Sequence, residues 1–123
     1  MFDIINTTIV MPVTHQMQLH PAPFARMASG QKKNEIRLND EKRRLLAVGD
    51  LIEFSNRGQQ NEKLQVRVTK LEPFPGFAEL YHAHQSEFPE WTLDSFVQSS
   101  LSEYYSPAQE KQWGALYIGI EKA

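Results

Sequence analysis

At 123 residues, 41% of them apolar and 11% aromatic, the chain has the size of one domain and can bury a core without metals or crosslinks. It has no cysteine, which excludes disulfides, thiolate metal sites and a cysteine nucleophile and fits a reducing, cytoplasmic location; no apolar run approaches the ~20 residues of a membrane helix. Net charge is −2, but Arg26 to Arg44 holds seven of the 13 basic residues against three acidic ones, about +4, which leaves about −6 elsewhere and predicts one oriented basic face.

Residues 1–15 read as an N-terminal extension or an edge strand, Thr7–Val10 being β-prone, and residues 16–123 as the domain proper. Gln16–Leu19 is a short strand ended by His20-Pro21. A helix opens on Pro21, which suits a first turn; Phe24, Met27 and Ala28 recur at helical spacing, and Gly30 closes it. Asn34–Leu38 is a strand whose alternation puts Glu35 and Arg37 on one surface and Ile36 on the other. Asp40–Leu46 is a charged turn or short helix, and Val48-Gly49-Asp50 turns into the strand Leu51–Phe54. Asn56-Arg57-Gly58 and the polar run to Lys63 make a hairpin loop before the alternating strand Leu64–Leu71. Pro73-Phe74-Pro75-Gly76 breaks that strand, and a short helix follows to His84.

Thr92 caps a helix from Leu93 to about Tyr104. Ser106-Pro107-Ala108-Gln109 has capping-box form for a last helix ending near Gly114, and Ala115–Ile120 is the final strand. Strands interrupted by few, irregularly spaced helices predict an α+β domain, mainly β: a small mixed barrel of five or six strands with short helices, not a doubly wound sheet.

The octapeptide Gly30-Gln31-Lys32-Lys33-Asn34-Glu35-Ile36-Arg37 resembles the G-x-K-x-x-E-I-R pattern of ASCH domains, part of the PUA-like superfamily. Gln18-Leu19-His20-Pro21 before it agrees in order and spacing, as do Val48-Gly49-Asp50-Leu51-Ile52-Glu53-Phe54, Phe77-x-x-Leu80-Tyr81, Glu103-Tyr104-Tyr105-Ser106 and Trp113–Ile120. The resemblance spans roughly Gln16 to Glu121. It implies a PUA-like barrel with helices around a cleft lined by the octapeptide loop, and a partner that is RNA or a nucleoside or nucleotide. Some small bacterial members are amidohydrolases acting on N4-acetylcytidine, and others are linked to ribonuclease activity.

Lys32 can hold a phosphate as a point charge, and Arg37 can clasp a phosphate or base edge bidentately, or instead pair with Glu35. Lys33 is a further ligand candidate, or plain surface if it points away from Lys32. Arg43 and Arg44 can track a phosphate backbone. Tyr105 is the candidate for stacking on a base, whereas Tyr104 and Trp113 are expected in the core.

Catalysis is the alternative to binding. Lys32 with Glu35 as general base is the candidate pair, although the deacetylating relatives resemble one another in a threonine at the position of Glu35. Their distal glutamate has four candidates here: Glu72, Glu79, Glu87 and Glu90. A third alternative is a protein-interaction module. Ser106 reads as a helix cap. The four histidines form no metal-ligand spacing, and no phosphate-binding or dinucleotide glycine motif is present, so no metal and no cofactor are expected.

Overall fold

The computed structural model describes residues 11–123, so Thr7–Val10 lies outside the described residues. Five strands, β1 (Thr14–Leu19), β2 (Asn34–Leu38), β3 (Leu51–Asn56), β4 (Gln59–Phe74) and β5 (Ala115–Lys122), form one sheet in the order β1-β3-β4-β5-β2. β1 runs parallel to β3, and the other neighbours are antiparallel. The helices are α1 (Pro21–Ala28), α2 (Phe77–Ala83), α3 (Leu93–Glu103) and α4 (Pro107–Trp113), with 3-10 turns at Arg43–Leu45 and Gln85–Glu87. Among the described residues no helix is long and apolar enough to cross a membrane.

The sheet curls into a half-barrel whose end strands, β1 and β2, come close. Across that seam the Arg37 guanidinium donates from Nη2 to the Gln18 carbonyl at 2.7 Å. Inside the curl lies one apolar cluster, built on Phe24 and Met27 of α1 and on Met17, Ile52, Phe54, Val66, Ile118 and Ile120 of the strands. A second cluster covers the outer face of β2 and β5 with Phe77, Leu80 and Tyr81 of α2 and Phe96 of α3. β5 is buried on both faces: Leu116, Ile118 and Ile120 point to the first cluster, Ala115 and Tyr117 to the second. A strand covered on both sides reads as a continuous apolar run, which is the pattern of ALYIGI.

Local rules account for the element ends. Pro21 and Pro23 sit in the first turn of α1, and Gly30 follows its end at φ +87°, where a side chain would be strained. Capping boxes start α3 (Thr92 with Ser95) and α4 (Ser106 with Gln109). Two expectations change. The loop predicted from Asn56 to Lys63 shrinks to Arg57-Gly58, because the Asn56 side chain accepts from the Gly58 amide (2.9 Å) and β4 resumes at Gln59. β4 also runs through Pro73 to Phe74. Beyond Arg67 it has only β5 beside it, and a strand with one open side tolerates a missing amide proton.

Candidate functional site

β2 is an edge strand, and a cleft of about 700 Å³ opens along it, between the β1–α1 junction on one side and the Phe88–Trp91 segment with α3 on the other. The octapeptide lines its floor. The Lys32 ammonium donates to the Asn34 carbonyl (2.5 Å) and lies 3.1 Å from Glu35 Oε1. The other carboxylate oxygen of Glu35 accepts from Arg37 Nε at 2.6 Å. Glu35 and Arg37 therefore do share a face, as strand alternation predicts, and that face is the inner one: their partners across the ladder are Ile118 and Leu116.

Glu35 is buried, which by itself would favour the neutral acid. The charges of Lys32 and then Arg37 outweigh burial and hold its carboxyl below the usual carboxylate value. For Arg37, burial opposes the charge, but Glu35 and then the Tyr105 hydroxyl more than offset it, so its guanidinium is raised above the ordinary arginine value. Glu35, Gln18 and Tyr105 thus occupy the arginine from three directions. Arg37 makes the pair with Glu35 that its sequence position allows, and it also lines the cleft.

The outer face of β2 carries a second polar group. Asn34 Nδ2 donates to Glu87 Oε1 (3.2 Å), and the Tyr117 hydroxyl donates to the same oxygen (2.5 Å). His84, stacked on Tyr117 at 3.7 Å between centroids, places Nδ1 2.6 Å from Glu87 and Nε2 2.9 Å from Glu72. A neutral imidazole carries one N–H, so satisfying both carboxylates takes two ring protons or a protonated carboxyl. Burial would raise the Glu87 carboxyl, but the hydrogen bonds from Tyr117, His84 and Asn34 bring it below its usual value. Burial first, then Glu87, pushes the Tyr117 hydroxyl well up. Among the four candidate distal glutamates, Glu87 and Glu90 line the cleft, Glu72 reaches it only through His84, and Glu79 does not line it.

The cleft rim is aromatic and basic. Tyr104, expected in the core, is instead 51% exposed on the rim, 6.0 Å from the His20 ring, because the last turn of α3 carries it past the apolar cluster. Tyr105 is half-buried, stacked on Phe77 at 5.9 Å. Trp91, 40% exposed, also lines the cleft. Trp113 does pack against the outer cluster, and Arg44 lies over its ring at 5.2 Å while bonding the Asn39 carbonyl. Arg44 lines neither this cleft nor its neighbour, so its contacts tie a loop to α4.

Exposed Arg26, Lys33 and Arg57 line the cleft and make no ion pair among the described residues. Arg43 faces a smaller neighbouring groove and pairs with Asp40 at 3.0 Å. Sequence reasoning missed Trp91, Arg57 and His84, and left Glu87 as one of four candidate glutamates. A tryptophan in the polar linker Pro89-Glu90-Trp91-Thr92 was the available signal, since an apolar ring there packs against little of its own segment. Nothing local singles Glu87 out from the other three, because it meets Asn34 and Tyr117 only through the fold, as His84 meets Glu72. Among the described residues no group of three His, Asp or Glu side chains is arranged to hold a metal.

Comparison with known proteins bears on the fold. The family model for the ASCH domain matches residues 17–123. Among solved structures, the hypothetical protein PH0355 superposes with a TM-score of 0.78 at 29% identity, covering 90% of this chain and all of its own. Protein PF0455 from Pyrococcus furiosus gives 0.70 at 28% identity, over 89% of this chain and 97% of its own. The ASCH protein of Zymomonas mobilis, solved as an S128A mutant, gives 0.57 at 13% identity over 89% of this chain and 68% of its own, a likeness of fold alone. No curated protein matches the chain.

Proposed function

The chain belongs to the ASCH domain family, and on that premise we propose that its cleft binds single-stranded RNA or a nucleotide, the base on its aromatic rings and the phosphates on the basic rim. One observation carries the reading: exposed rings, Tyr104 and Trp91, stand on the walls of the cleft whose rim also holds exposed Arg26, Lys33 and Arg57. Rings offer any base a stacking surface, and exposed cations take the phosphate charge. Lys32 supplies a donor at the floor. Arg37 and Tyr105 shape that floor rather than reach into it, since each is already engaged.

Binding is preferred to hydrolysis because of the state of Glu35. A general base at neutral pH needs a proton affinity near the working pH. Two cations on its two oxygens push Glu35 the other way.

The test is fluorescence anisotropy with short single-stranded RNA. Stacking of a base on an aromatic side chain is worth about 1–3 kcal/mol. Tyr104→Ala is therefore expected to weaken binding by roughly 5- to 150-fold with the fold intact by circular dichroism. Unchanged affinity in that variant would remove the stacking wall from the proposal. In parallel, N4-acetylcytidine and RNA incubated with the protein should be recovered unaltered by mass spectrometry. A product formed by the wild type and not by Lys32→Ala would make the cleft an active site instead.

A further inference from the structure

On the far side of the Arg37–Gln18 bridge lies a second groove of about 420 Å³. Four cations line it, Arg37, Lys42, Arg43 and Arg57, and the neutral polar residues Gln16, Gln18 and Ser55 complete its polar wall. No acidic and no aromatic residue is among its lining. The groove shares Gln18, Arg37 and Arg57 with the main cleft, so the seam between β1 and β2 is a ridge with one cavity on each side.

We propose that this groove holds a backbone phosphate of the same single strand whose base lies in the main cleft, the strand crossing the seam over Arg37. This rests on the reading of the cleft given above and adds a second, purely ionic subsite to it.

The cations are positioned by the fold. Arg57 sits at the tip of the β3–β4 hairpin, whose amide donates to the Leu19 carbonyl at 2.8 Å; a side chain at Gly58 would strike Pro21 at 2.8 Å, so the tip is packed against the start of α1. Lys42 lies on the turn that Asp40 fixes by accepting from the Arg43 amide (3.1 Å). Two of the four charges are already matched, Arg37 by Glu35 and Arg43 by Asp40. Lys42 and Arg57 are exposed and form no ion pair among the described residues, leaving the groove about two positive charges in excess. The Lys42 ammonium is held below its usual value, by partial burial first and then by Arg43 and Arg37, against a smaller opposing pull from Asp40. An arriving anion would relieve that repulsion. Without rings, and with Met17 its one apolar side chain, the groove has little for a base, whereas a phosphate suits its charge.

The experiment measures RNA affinity against salt concentration for the wild type, Lys42→Glu and Lys111→Glu. Lys42 lines only the second groove; Lys111 is exposed on α4, lines neither cavity and carries the same change of net charge. Each phosphate contact on a single strand contributes about 0.7 to the slope of log affinity on log salt. Lys42→Glu is expected to lower the slope by at least ~0.7 and to weaken binding several-fold at low salt, with Lys111→Glu close to wild type. Equal slopes in the two variants would overturn the subsite while leaving the cleft reading intact. Failure of the wild type to bind RNA at all would overturn both. A further arm titrates inorganic phosphate alone and follows the Lys42 and Arg57 amides by NMR. If it saturates the groove as tightly as the RNA does, the site belongs to a free anion and the strand assignment falls.

Discussion

Removing the carboxylate of Glu35 would leave Lys32 and Arg37 side by side at the cleft floor without the charge they share. Both cations are largely buried, with side chains 16% exposed, and the Glu35 side chain is 7% exposed, so solvent replaces little of what is lost. Breaking a buried pair by deleting one partner costs about 3–5 kcal/mol. Glu35→Gln should therefore lower unfolding stability by roughly 3 kcal/mol at neutral pH, read from urea denaturation. The pH dependence has a definite sign. The folded carboxyl sits below the reference value of 4.5, so its stabilisation is complete above that value and is lost as pH falls through the lower folded value. The gap between wild type and Glu35→Gln should narrow over that acid range. A gap constant with pH would mean that the carboxylate charge is not what the two cations need.

At the scale of elements, Gly114 joins α4 to β5, and with them the outer layer to the sheet. Its φ is +76°, and a Cβ there would lie 2.4 Å from the Phe74 carbonyl oxygen, a backbone atom that cannot rotate away. Its own carbonyl accepts from the Asn39 amide (2.9 Å), so the same residue fixes the exit of β2. Gly114→Ala combines a left-handed backbone with a main-chain clash and should cost about 2–4 kcal/mol, read as a lowered thermal midpoint. A neutral outcome would require the end of β4 to move. Elements such as these were legible because their signals are local. Pro21 and Gly30 bound α1, Ser106 and Gln109 start α4, and the alternation in NEIRL put Glu35 beside Arg37. The octapeptide, read by its resemblance, also led to the floor of the cleft. What stayed hidden depends on the third dimension. Strand order decides that Pro73 has an open side. The Glu72–His84–Glu87–Tyr117 group joins four elements, and the choice between Tyr104 and Tyr105 as the exposed ring depends on how the last turn of α3 meets Phe77.

For the whole molecule, the decisive contact is the one that closes the half-barrel. β1 and β2 are the two ends of the sheet, joined by no ladder, and each edge is a row of backbone groups that neighbouring strands do not use. Arg37 spans the gap: Nη2 on the Gln18 carbonyl, Nε on Glu35, and Tyr105 within reach on the side of α3. A planar guanidinium can serve such partners at once; an ammonium on a flexible stem cannot match that geometry. Arg37→Lys keeps the charge beside Glu35 and loses the bridge, so the expected cost is modest, about 1–2 kcal/mol. Its signature is spatial. Amide hydrogen exchange should quicken along β1 and β2, while β3 and β5, which pair on both sides over much of their length, stay protected, as does β4 where it meets them. The two cavities flanking the bridge should also lose their separation, so the RNA binding proposed above would weaken even though no cation has been removed. Uniform acceleration across all five strands would mean that Arg37 contributes only to global stability and that the seam is held closed by the apolar cluster beneath it.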